Sequence, residues 1–146
     1  MPIRLLIVED DELFRLGLVV RLQQEPELEI VAEAADGETA VALAGAYPLD
    51  LVLLDVGLPR LGGLEACQHI KAQQPQLPIL ALTSRLEPSL ISRLIDAGIQ
   101  GFCLKGVDAS TLMLAIRSVV AGASWWDSQA TREIRSTFAQ TLEALP

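Results

Sequence analysis

Five short apolar runs alternate with five stretches of helical spacing, and this alternation restricts the fold more than any other feature of the chain. "IRLLIV" (3–8), "LEIVAEA" (28–34), "DLVLL" (50–54), "PILAL" (78–82) and "GFCL" (101–104) are bounded by Asp, Gly or Pro, as strands are. Three of them are nearly continuous in apolar residues, the mark of parallel strands covered on both faces. Between them the spacing predicts helices over about 12–24, 37–46, 63–73, 88–97 and 108–121. Pro26, Pro48 and Pro75 follow three of these helices, Gly98 and Gly122 follow the others, and Asp36 and Asp108 stand where N-caps belong. Consecutive strand and helix units imply an α/β fold with a doubly wound parallel sheet, because right-handed crossovers leave few other topologies.

Composition narrows the partners. A chain of 146 residues with 51% hydrophobic side chains is long enough for one well-buried core. Its formal net charge of -8 repels phosphate backbones, which argues against direct nucleic-acid binding by this segment. "IRLLIV" runs straight into three acids and is too brief for a signal-peptide core or a membrane span, so the expected location is the cytoplasm, with no membrane contact. Cys67 and Cys103 lack metal-site spacing and read as two reduced, apolar side chains.

The residues that close each strand carry the functional signal. The first run is followed by Glu9, Asp10 and Asp11, the third by Asp55, the fourth by Thr83 and Ser84, and the fifth by Lys105. An isolated Asp before a turn can merely bond its own backbone. In an open parallel sheet, however, the carboxyl ends share one edge, where ligands bind at the point of reversed strand order. Acids, a hydroxyl and an amine would therefore converge there. Acids held close together repel unless a cation joins them, and oxygen-only ligands suit Mg2+, which takes one or two carboxylates along with substrate phosphate. A carboxylate can also attack phosphorus to give an aspartyl phosphate, with Lys105 and Thr83 available to the phosphoryl oxygens.

The motifs around these residues resemble the receiver domain of two-component response regulators, over about residues 3–122. "VEDD" places the family's acidic pair on Glu9 and Asp10, and "LLDVGLPRLGG" places its phosphoacceptor on Asp55. "LALTS" matches the switch threonine at Thr83, while "GFCLK" matches the switch aromatic at Phe102 and the lysine at Lys105. The resemblance implies a flavodoxin-like, five-stranded sheet of order 2-1-3-4-5 with five flanking helices. It further implies Mg2+ held by Glu9, Asp10, Asp55 and the backbone carbonyl of Gly57, and a histidine kinase as phosphoryl donor. Phosphorylation would draw Thr83 inward while Phe102 turns in behind it. Such a protein catalyses only its own phosphorylation and dephosphorylation and is otherwise not an enzyme. "LKGVDASTLMLAIRSVVAGASWW" resembles the LuxR-type (NarL-like) class, which implies transcription as the output. Gly57 leaves the phosphoryl position less shielded than a larger residue would, which bears on the lifetime of the phosphorylated state.

Two other aspartyl-phosphate or metal-dependent readings fail at Gly57. Hydrolases of the haloacid dehalogenase type and Toprim-type nucleases need an acid two residues after the first one. A phosphorylation-independent pseudo-receiver, acting as an interaction module, would lack an acid, the threonine or the lysine, and all are present. Neither a P-loop nor a dinucleotide fingerprint occurs.

The remaining expectations concern surfaces. His69 reads as a surface residue. Leu90, Ile91, Leu94 and Ile95 form a stripe, part core packing and part dimer face, from which a homodimer on activation is expected. Trp125 and Trp126 cannot both be buried on one side, so one is expected beneath the fifth helix and the other at an interface. Domain boundaries are expected as a receiver at 1–122 and a linker or extra helix at 123–146, leading to an output domain beyond Pro146. In that helix Ala130, Ile134, Phe138, Leu142 and Leu145 would make one apolar edge, capped by Asp127 or Ser128. Pro59, Gly62 and Gly63 read as turn residues, although in the resembled family this loop also shapes the site.

Overall fold

The computed structural model describes residues 1–58, 62–84 and 87–145. The chain runs β1 (Ile3–Val8), α1 (Glu12–Leu22), β2 (Leu28–Ala34), α2 (Gly37–Ala46), β3 (Leu51–Asp55) and α3 (Gly63–Gln73). It continues through β4 (Ile79–Thr83), α4 (Pro88–Ala97), β5 (Gly101–Leu104), α5 (Ala109–Val120), β6 (Trp125–Trp126) and α6 (Ser128–Glu143). All strand pairings are parallel, in the order β2-β1-β3-β4-β5-β6. The expected doubly wound sheet is present, extended by one edge strand.

Local chemistry explains why the elements begin and end there. Asp36 accepts from Thr39 N at 2.7 Å and Asp108 from Thr111 N at 2.8 Å, so both expected N-caps satisfy a free helix donor. Asp11 does the same for α1 through Phe14 N at 3.0 Å, a role that the run of three acids conceals. Gly98 and Gly122 adopt φ of 99° and 97°, the left-handed turn that ends a helix without Cβ strain.

Each face of the sheet builds its own core. Leu5, Ile7, Leu51, Leu53, Leu80 and Leu82 point to the α1/α5 side, while Leu6, Val8, Val52, Leu54, Ile79 and Ala81 meet α2, α3 and α4. Period-two alternation in strands buried on both sides makes the apolar runs continuous. Ile91 and Leu94 belong to the second of these cores, 2% and 0% exposed. They therefore cannot be interface residues in this state, and Leu90 and Ile95 alone carry what remains of the expected dimer stripe.

The sixth strand corrects the reading of the tryptophans. Trp125 aligns with Gly101 and Trp126 with Phe102, and successive strand residues face opposite ways. Trp125 packs on the α1/α5 core, as expected of one of the pair, and Trp126 packs on the other core, each of them half-buried. α6 then packs against α4 and β6. Of its expected apolar edge, Phe138, Leu142 and Leu145 are exposed, while the side chains of Ala130 and Ile134 lie outside the described ones, as does Pro146. Among the described residues no helix is long and apolar enough to cross a membrane.

Candidate functional site

Asp55 and Thr83 are the last residues of their strands, not the first of the following loops. The ladder thus holds both backbones fixed, and both side chains are buried at the carboxyl edge. Glu9 and Asp10 follow β1 at the same edge, with Glu9 only 2% exposed. One oxygen from each of Glu9, Asp10 and Asp55 lies within 4.8 Å of the others. The acids read from separate strand ends therefore form a single cluster.

Its internal bonds are specific. Asp11 N donates to Glu9 Oε2 at 2.9 Å, and Gly57 N donates to Asp55 Oδ1 at 3.0 Å. Lys105 Nζ lies 2.5 Å from Glu9 Oε1 and 3.5 Å from Asp55 Oδ2, and 4.7 Å above the centre of the Phe14 ring. Glu9 Oε1 meets this ammonium as an ion pair but has no aligned hydrogen-bond donor of its own. A buried carboxylate oxygen left in that condition is suited to a cation. Three carboxylates around it fit Mg2+, whose hard, oxygen-loving chemistry matches this donor set.

The charges shift one another. Burial pushes the Asp55 carboxyl up, the Gly57 N–H opposes this, and Asp10 and Glu9 push it further, to about 7. Burial would raise Asp10 too, but hydrogen bonding with Asp55 and Glu9 brings it below the usual carboxylate range, aided by its backbone and the charge of Lys105. Asp55 and Asp10 thus divide the roles of proton holder and anion. Burial would lower the Lys105 ammonium, yet Glu9 and Asp55 hold it above its ordinary value. Without metal, Lys105 offsets part of the cluster's negative charge, standing in for a cation.

Beyond Asp55 the chain must turn sharply against α3. A Cβ on Gly63 would sit 2.4 Å from Val56 Cα, so the start of α3 packs directly on the loop that follows Asp55 and only glycine fits there. Pro59 lies outside the described residues. Beside Asp55, a cavity of about 270 Å³ is lined by Val56, Gly57, Thr83, Ser84, Glu87 and Leu90. A Cβ at Gly57 would come 3.6 Å from Asp55 Oδ1, so the missing side chain keeps this space open.

The other singled-out residues fall away from the cluster or into the core. Phe102 is fully buried between β4 and β6 in the core shared with Trp126. In this state it is already inward, and the turning motion that the resemblance implies has no exposed starting position. His69 is exposed on α3. Burial pushes the thiols up, to about 11 for Cys67 and about 12 for Cys103, so neither is a thiolate near neutrality.

A parallel, doubly wound sheet whose carboxyl edge gathers three acids, a threonine and a lysine defines a class of acid-cluster α/β proteins. Within that class, the chain belongs to the response regulator receiver domain family, whose model matches residues 5–117. It is similar to the transcriptional regulatory protein DegU of Brevibacillus brevis, 33% identical over 132 residues, or 90% of this chain and 56% of that protein. The response regulator VraR of Staphylococcus aureus is 32% identical over 143 residues, covering 98% of this chain and 68% of the relative. Among solved structures, a LuxR-family two-component response regulator from Aurantimonas sp. SI85-9A1 matches with a TM-score of 0.88 at 29% identity, covering 95% of this chain and 99% of that one. The receiver domain of NarL from Mycobacterium tuberculosis gives 0.78 at 26%, covering 83% and 98%. The chain thus spans between 56% and 68% of the length of the two curated relatives. Membership supports a two-component signalling switch.

Proposed function

We propose that this chain accepts a phosphoryl group from a histidine kinase onto Asp55, with Mg2+ held by Glu9, Asp10, Asp55 and the Gly57 carbonyl. The observation that carries this reading is the convergence of three carboxylates at the ends of β1 and β3, two of them paired with Lys105 from the end of β5. An Asp55 oxygen forms the new O–P bond as the N–P bond to the donor imidazole breaks and that nitrogen leaves with the electron pair. Mg2+, when bound, offsets charge on the carboxylates and the phosphoryl oxygens. Lys105 then exchanges Glu9 for a phosphoryl oxygen, and Thr83 donates to another. The chemistry stops at the protein's own phosphorylation and dephosphorylation, so it acts as a switch and not as an enzyme with an external product. Leu13, Leu16 and Val20 are exposed along one side of α1 beside the crevice and give a donor domain an apolar surface to meet.

The output of this reading is a change of assembly that controls transcription through a segment beyond residue 146. Phosphate can shift a pre-existing equilibrium only by favouring one state. Thr83 at the end of β4 lines the same cavity as Leu90 of α4, and α4 packs against α6. The activated protein is expected to self-associate more tightly than the resting one, through Leu90 and Ile95. Sedimentation velocity with and without beryllofluoride and Mg2+ checks this. Ile95→Glu should abolish the activated dimer; if only truncation after Gly122 does so, α6 and not α4 is the interface.

A further inference from the structure

The carbonyl that links Glu9 to Asp10 is held by a side chain outside the cluster. Arg15, one turn into α1, donates from Nη1 to Glu9 O at 2.6 Å, and its Nε lies 3.3 Å from Glu33 Oε1. Glu33 reaches this place because β2 is bulged. The pairing of Leu5 with Ile30 is followed by that of Leu6 with Ala32, leaving Val31 as an extra residue. Leu28 and Ile30 accordingly pack on the α1/α5 core, but Ala32 and Ala34 pack on the opposite one. Residues two apart on a regular strand share a face, so the change of side is the work of the bulge, which aims Glu33 toward α1 opposite Ile7.

We propose that Arg15 and Glu33 are positioning residues, a strut from the bulge of β2 through α1 to the Glu9–Asp10 peptide that sets the direction of the metal-binding acids. This rests on the reading of the cluster as a Mg2+ site. The Glu9 carboxylate is oriented by Asp11 N and Lys105, whereas the peptide between the two acids is gripped by Arg15. Letting that peptide turn would swing Asp10 relative to Asp55. A guanidinium near a divalent cation site would by itself weaken binding, but Glu33 offsets its charge, so geometry is what the pair contributes. A fork that holds two acceptors at once is a task for which Lys is no substitute.

The test removes the strut without changing net charge. Mg2+ is titrated calorimetrically into the wild type, Arg15→Ala/Glu33→Ala and Arg15→Lys, and metal-free unfolding is followed for each. Failure of the wild type to bind Mg2+ would remove the metal-site reading itself. With the wild type binding, the strut predicts about fivefold weaker affinity or more in the double variant, and a smaller loss of about threefold in Arg15→Lys. A lower unfolding midpoint with unchanged affinity would make the contact merely structural and overturn the proposal. Should the double variant not fold, Arg15→Lys decides alone: weakened Mg2+ binding supports the strut, and wild-type affinity overturns it.

Discussion

Asp55→Asn is expected to make the metal-free protein more stable at pH 8 while removing its capacity to be phosphorylated. Burial, opposed by Gly57 N–H and reinforced by Asp10 and Glu9, raises the Asp55 carboxyl to about 7 in the fold, against about 3.9 in an unfolded chain. A raised carboxyl contributes stability that is fully present below the unfolded value and is lost as pH rises through the folded one. The wild type should therefore lose roughly 2–4 kcal/mol between about pH 4 and 8 in the absence of metal, since a tenfold change in acidity between the folded and unfolded chain corresponds to about 1.4 kcal/mol. Asn can still accept from Gly57 N–H and cannot ionise, so the variant should show little of this slope. Urea midpoints measured across the pH range with a chelator present check the point. Equal slopes in the two proteins would mean that ionising Asp55 costs the fold nothing.

Lys105→Ala should have the opposite effect on stability. A lysine at a ligand-binding sheet edge would be expected to be solvent-accessible and to cost little folding when removed. In the structure its side chain is only 19% exposed and is the counter-ion of a nearly inaccessible Glu9. Removing one partner of a buried pair typically costs 3–5 kcal/mol, so a loss of about 3 kcal/mol is expected without metal. Mg2+ should restore most of it and should bind more tightly than to the wild type, because it no longer competes with the ammonium. Beryllofluoride should then bind without producing the wild-type NMR shifts across residues 84 to 105. Thermal unfolding with and without Mg2+ separates the two roles of the lysine. An unchanged metal-free midpoint would mean that Glu9 does not depend on it.

The elements that sequence reasoning recovers are those with local causes. Three helices, from Gly37, Gly63 and Pro88, match the expected spans, because their apolar period, their Asp, Gly or Pro entry and their Pro or Gly exit all agree. The acid cluster was legible because strand ends of a parallel sheet meet by topology alone. What was hidden depends on tertiary pairing. Two tryptophans are too few to show a strand period, so β6 exists only because the edge of β5 accepts it. The bulge at Val31 leaves no mark in "LEIVAEA", yet it decides which side Glu33 faces. The capping role of Asp11 is hidden in the run of three acids, because capping and metal binding call for the same carboxylate. The stripe of α4 divided between core and surface because apolar spacing alone does not tell which neighbours cover it.

The central claim, that Asp55 is a Mg2+-dependent phosphoacceptor, is tested most directly by intact-protein mass spectrometry after incubation with acetyl phosphate. One phosphoryl group per chain should appear on the wild type with Mg2+, and none with a chelator or on Asp55→Asn. Full labelling of Asp55→Asn, or of the wild type under chelation, would contradict the account.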